Sequence, residues 1–180
     1  MNSSNKVFSL SALALGVSLL AAASGAQAAT ITRTLVANAT AACQPALPVF
    51  DGNIRARPKA VQNDGTNNAF VSCAYYSQST VNTAGNPKTV EVSFSTKGGV
   101  AMFFSCTGIV GAEGTTFPVS VKSNLLPADG SRVSIIWSAV DFGGIQGNPL
   151  PSGLFGLSCN LPPTVGINDA TITFDEDVGA

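Results

Sequence analysis

From residue 89 to 95 the chain reads "TVEVSFS", in which Val90, Val92 and Phe94 alternate with Glu91, Ser93 and Ser95. Successive side chains of an extended backbone point to opposite faces, so this period of two predicts a strand with one packed face and one wet face. The same logic predicts strands over 30–36, 69–76, 100–107, 115–122, 132–140, 154–159 and 170–174. In the segment 132–140, Val133, Ile135 and Trp137 share a face. Turn-forming clusters separate them: "NDGTNN", "TAGNPK", "PADGS" and "GNPLPSG". After the first 28 residues no stretch carries a helical period. About eight short strands bounded by such turns predict one all-β domain, an antiparallel β-sandwich or jelly roll.

The first residues break this pattern. "MNSSNKVFSLSALALGVSLLAAASGAQAAT" has one cation, Lys6, then an apolar run, then small residues ending Ala26-Gln27-Ala28. That is the order of a secretory signal peptide with an A-x-A cleavage site, and the run is short for the ~20 residues a bilayer span needs. Residues 1–28 are expected to be removed, leaving 29–180 as a single exported domain of 180 − 28 = 152 residues, periplasmic or extracellular, with no transmembrane segment.

Without Lys6 the domain has eight cations against ten acids, a formal charge of −2, and only 11% of the chain is charged. Such a chain has no basic footprint for nucleic acid. Four cysteines, Cys43, Cys73, Cys106 and Cys159, lie 30, 33 and 53 residues apart, too far for the close pairs of a zinc site. In an oxidising compartment they predict two structural disulfides. Three connectivities are open; pairing in chain order, Cys43 with Cys73 and Cys106 with Cys159, is the expectation. In "FVSC", "FFSC" and "GLSC" the cysteine shares parity with Val71 and Tyr75, with Met102 and Phe104, or with Phe155 and Leu157, so three sulfurs should face the core.

The segments "CQPALP", "IRARPKAVQN", "AFVSC", "SCTGIVG", "LSCNLPP" and "DEDVG" resemble a group of small exported cysteine-containing proteins of Gram-negative bacteria to which no function is assigned. The resemblance spans most of the domain and implies export and disulfides, with no chemistry attached.

Histidine is absent, which excludes Ser-His-Asp and Cys-His nucleophiles and histidine-bound zinc. Paired carboxylates could still hydrolyse a glycosidic bond, with Glu91, Glu113, Asp141 and Glu176 as candidates. Glu91 sits on a wet strand face and Glu113 in the turn "GAEGTT", neither suited to raising a carboxyl pKa. The expectation is therefore a binding or structural protein and no enzyme. Two ligand surfaces are predicted. One is the Pro- and Gly-rich loop 141–153, with Asp141 and Asn148. The other is the basic stretch "IRARPK", where Arg55, Arg57 and Lys59 alternate; it would serve as a ligand stripe, as a charged sheet edge that discourages pairing, or as a neutraliser of the C-terminal acids. The sequence leaves the partner open, with a glycan or cell-surface molecule among the candidates, and whichever of Tyr75 and Tyr76 faces outward could stack on a sugar ring.

The tail "TITFDEDVGA" would project Asp175 and Asp177 together if it is a strand. With Asp169 or Asp141 they could cage Ca²⁺, although no EF-hand pattern is present and no other cofactor is signalled. A second class of role is an assembly subunit whose N-terminal strand "TITRTLV" adds to a neighbour's sheet, though Gly179 stands where pilins carry a penultimate aromatic. A third is a protease inhibitor presenting "NPLPSGL".

Overall fold

The computed structural model describes residues 29–47, 52–77, 85–111, 115 and 117–178. The expected signal peptide, Glu113 and Gly179 lie outside these residues. The described chain forms eleven strands and two short helical turns: β1 (Thr30–Asn38), α1 (Ala39–Ala42), β2 (Cys43–Pro45), β3 (Ile54–Arg57), β4 (Ala60–Asn63), β5 (Ala69–Tyr76), β6 (Pro87–Thr96), β7 (Met102–Val110), β8 (Val119–Leu126), β9 (Val133–Ser138), a 3₁₀ turn (Ala139–Phe142), β10 (Leu154–Leu161) and β11 (Val165–Asp177).

The strands make two antiparallel sheets, the predicted β-sandwich. One runs β3-β4-β11-β6-β9, with β1 also on β11; the other runs β2-β5-β10-β7-β8. The thirteen-residue β11 organises the first sheet. Along one edge it pairs with β6. Along the other it meets β4 through Gly166 and Ile167, and then β1 from Asp169 to Asp177.

The period-of-two reading locates the core correctly. Val90, Val92 and Phe94 of β6 are buried with Ile135 and Trp137 of β9, in one core with Phe104, Phe155 and Leu157 of the second sheet. Ring centroids of Phe94 and Phe104 lie 4.4 Å apart, and those of Trp137 and Phe155 5.4 Å, so aromatic pairs tie one sheet to the other. Both disulfides form as expected, between directly opposed residues of neighbouring strands: Cys43–Cys73 joins β2 to β5, and Cys106–Cys159 joins β7 to β10.

Strand β8 departs from expectation. It is shifted toward the C-terminus, and its apolar Val119, Val121 and Leu125 face solvent while Ser120, Lys122 and Asn124 turn inward. The reason lies across the open side of the sandwich, where β8 meets the edge strand β9. The Trp137 indole donates to the Ser120 carbonyl at 3.4 Å, Lys122 Nζ to the Ile136 carbonyl at 2.6 Å, and Asn124 Nδ2 to the Ser134 carbonyl at 3.2 Å. Polar side chains thus close the edge that an apolar strand face would have left with unpaired carbonyls.

Trp137 also explains a glycine. A Cβ on Gly108 of β7 would stand 2.7 Å from Trp137 Nε1 and 3.0 Å from Phe155 Cζ, inside the packed core. Gly108→Ala should therefore destabilise the domain by about 1–3 kcal/mol through overpacking, read as a lowered denaturation midpoint in urea.

Candidate functional site

Opposed residues of an antiparallel pair share a face, and the β1–β11 register sets Ile31, Arg33 and Leu35 against Glu176, Phe174 and Ile172. Ile172 is buried, so this face looks into the sandwich. Across from it, the described part of the second sheet ends where Tyr76 of β5 stands opposite Leu154, the first residue of β10. An open groove of about 580 Å³ results, lined by Arg33, Thr34 and Leu35 of β1, Phe174 and Glu176 of β11, and Tyr76 and Ser77 from the end of β5.

The groove is lined by both apolar and polar side chains. Leu35 and Phe174 supply hydrocarbon, while Arg33 Nε donates to Glu176 Oε2 at 2.7 Å across the strand pair. A guanidinium carries four further N–H donors for whatever lies beside it. Ser77 is buried; its backbone N–H donates to the Gly153 carbonyl at 3.2 Å, while its Oγ has no hydrogen-bond partner among the described residues. The alternation of β5 separates its two tyrosines as predicted. Tyr75 is buried, its hydroxyl 3.4 Å from Cys43 Sγ, and burial together with the negative charge of Asp169 holds its phenol pKa above the usual range. Tyr76 is 63% exposed and forms a wall of the groove.

The two predicted ligand surfaces fall apart in space. Arg55 and Arg57 lie on β3, one edge of the six-stranded sheet, while the loop 141–153 follows β9 at the opposite edge. Chain reversal after Arg57 places Lys59 in the β3–β4 turn, so the three cations do not form one extended stripe. Arg57 is ion-paired to Asp64, which also binds Lys97 at 2.7 Å. Arg57 of the basic stretch thus pairs within its own edge of the sheet, while Asp175 and Glu176 of the C-terminal acids meet Lys88 and Arg33.

In the loop, Asp141 accepts from Lys122 at 2.7 Å and from the Ser138 backbone N–H at 2.8 Å, closing the 3₁₀ turn. Asn148 is exposed in a turn closed by its own N–H to the Ile145 carbonyl. "NPLPSGL" is tucked in: Leu150 and Ser152 are buried, and Leu150 donates its N–H to the Pro87 carbonyl. A protease-binding loop would have to present those side chains outward.

The carboxylates of the tail are engaged. Asp175 accepts from Lys88 Nζ at 3.0 Å and Thr32 Oγ1 at 2.8 Å, and Asp169 pairs with Arg132 at 3.1 Å. Among the described residues no group of three or more His, Cys, Asp or Glu converges as a metal site would require. The hydrolase candidates are equally dispersed. Glu176 belongs to Arg33, Asp141 to Lys122, and Glu91 lies on the outer face of β6 between Thr171 and Ile136.

These ion pairs set an acid limit on stability. The hydrogen bonds from Lys97 and Arg57 hold Asp64 below the ordinary carboxylate range, and those from Lys88 and Thr32 do so for Asp175. Burial pushes Asp141 up, but the bonds from Lys122 and Ser138 outweigh it and the net shift is downward. With folded values depressed, the unfolded chain binds more protons. The stabilisation is therefore full above about pH 4 and is lost as pH falls through the folded values. Urea midpoints should stay flat from pH 7 to about 5 and drop toward pH 2, with a shallower drop in Asp64→Asn.

No family model matches the chain, and no curated protein matches it in sequence. Among solved structures it is similar to the family 11 carbohydrate-binding module from Clostridium thermocellum in complex with a β-1,3-1,4-mixed-linked tetrasaccharide, at TM-score 0.34 and 12% identity over 88% of this chain and 92% of that one. It is similar also to a CBM4 structure, at TM-score 0.33 and 10% identity over 63% of this chain, and spans 65% of that chain's length. A third likeness is to dimeric latent PorU from Porphyromonas gingivalis, at TM-score 0.45 and 9% identity; 86% of this chain spans 14% of that one. Likenesses this distant carry no argument about ligands. Among the described residues no helix is long and apolar enough to cross a membrane.

Proposed function

We propose that this chain is an exported, non-catalytic binding protein whose ligand is a sugar, held in the groove with one ring against Tyr76. The observation that carries this reading is the position of Tyr76, a solvent-exposed aromatic on the wall of an open groove. Sugars present an apolar C–H face flanked by hydroxyls. Tyr76, Leu35 and Phe174 match the face, and Arg33 and Glu176 match the hydroxyls, one as donor and one as acceptor. Two formed disulfides suit an oxidising compartment, and the ion-paired state of Asp141 and Glu176 favours binding over acid-base chemistry.

The test is a panel of neutral and acidic oligosaccharides, followed by calorimetric titration of the best binder. Tyr76→Ala should weaken binding by roughly 30-fold, the loss of about 2 kcal/mol expected of a central aromatic anchor. Tyr76→Phe, which keeps the ring, should retain most of the affinity. No binding across the panel, or equal affinity in Tyr76→Ala, would refute the reading.

A further inference from the structure

Strand β1 is attached to the domain in an unusual way. From Thr30 to Val36 every residue is exposed, Ala37 alone is half-buried, and no residue of the strand belongs to the buried core, whose first member is Ala39. Its inner-face Ile31 and Leu35 remain 45% and 44% exposed, and Leu35 lines the open groove. What holds β1 is a nine-residue antiparallel register with β11, Thr30↔Asp177 through Asn38↔Asp169, together with the Thr32–Asp175 and Arg33–Glu176 side-chain bonds. By contrast its successors are anchored at once: Ala39 is buried and Cys43 is bound to Cys73.

A strand held this way can leave its own domain without opening the core, and it meets the same partners on another copy. Backbone ladder, threonine hydroxyl and ion pair are all regained between molecules, which is the condition for exchange of an element between identical chains. No other terminal strand qualifies, since β11 contributes Val165, Ile167, Ala170, Ile172 and Phe174 to the interior.

We propose that β1 exchanges between copies of this chain, completing a neighbour's sheet beside β11. The occupant of the β11 edge is then a second copy, selected by register and by the complementary charges of Arg33 and Glu176. If the groove reading above also holds, each sugar site takes its Arg33 and Leu35 from the neighbour; the exchange itself does not depend on that reading.

The test uses cysteine pairs that oppose each other in register, Thr34 with Thr173 and, as a second pair, Val36 with Thr171. Single variants Thr34→Cys and Thr173→Cys are mixed at high protein concentration, held a few degrees below the melting temperature, cooled and mildly oxidised. Exchange predicts a covalent dimer whose new disulfide maps by peptide mass spectrometry to positions 34 and 173, absent from either variant alone. Wild-type protein treated the same way should double its mass, or form a ladder of multiples, by size-exclusion with light scattering. The double variants, with β1 locked to its own β11, should stay monomeric. A wild type that remains monomeric, with neither mixed pair giving an intermolecular bond, overturns the proposal. Because no sugar enters the experiment, its failure is distinct from failure of the binding reading.

Discussion

Replacing Cys106 and Cys159 together by alanine is expected to destabilise the domain by about 4 kcal/mol. The bridge closes a 53-residue loop, and its removal restores to the unfolded chain the freedom that this closure takes away. It also joins β7 to β10 in the middle of the five-stranded sheet, where both sulfur-bearing residues are buried. The Cys43–Cys73 bridge closes a shorter loop, 30 residues, at the sheet edge, and Cys43 is only half-buried, so the same replacement there should cost somewhat less. The two loops do not overlap in sequence, and the losses should be close to additive. Urea denaturation at neutral pH checks this. The midpoint should fall in both variants, and the slope should rise because the unfolded chain, released from its cross-link, exposes more surface. An equal or larger loss from the edge bridge would mean that local packing outweighs loop closure.

Trp137→Ala is expected to cost about 3–5 kcal/mol, the range for removing a buried large aromatic. Trp137 is fully buried, packs on Phe155 of the opposite sheet and donates to the Ser120 carbonyl, so its loss opens a cavity between the sheets and removes one of the bonds that tie β8 to β9. A double-mutant cycle sharpens the prediction. Gly108→Ala is harmful because its methyl would strike the Trp137 ring, so in a Trp137→Ala background the same substitution should be nearly neutral or stabilising. Additive losses would show that Gly108 is constrained by something other than Trp137.

The parts of the fold legible in the sequence are those where one face of a strand meets one environment. β5 and β6 follow their alternation residue by residue, and the same parity aims Cys73, Cys106 and Cys159 inward and divides Tyr75 from Tyr76. Strands β2, β3 and β4 were not legible, because three or four residues are too few to establish a period. β8 misleads for a different reason. Its inner side meets backbone carbonyls of β9, so the polar residues are the inward ones. The candidate site combines both cases. An outward tyrosine on β5 follows from alternation alone, whereas the Arg33–Glu176 pair joins residues 143 positions apart and depends on a register that no local pattern encodes. The acidic tail shows the same limit: three adjacent carboxylates in sequence alternate across a strand, and Asp175 meets Lys88 on one side while Glu176 meets Arg33 on the other.

The central claim, that the groove beside Tyr76 holds a sugar, is tested most directly by ¹⁵N-resolved NMR titration of residues 29–180 with the best oligosaccharide of the panel. The account predicts saturable shifts concentrated at Arg33, Leu35, Tyr76, Ser77, Phe174 and Glu176, all lining one groove. Shifts centred instead on the exposed turn at Ile145 to Asn148, with the groove amides unmoved, would contradict it.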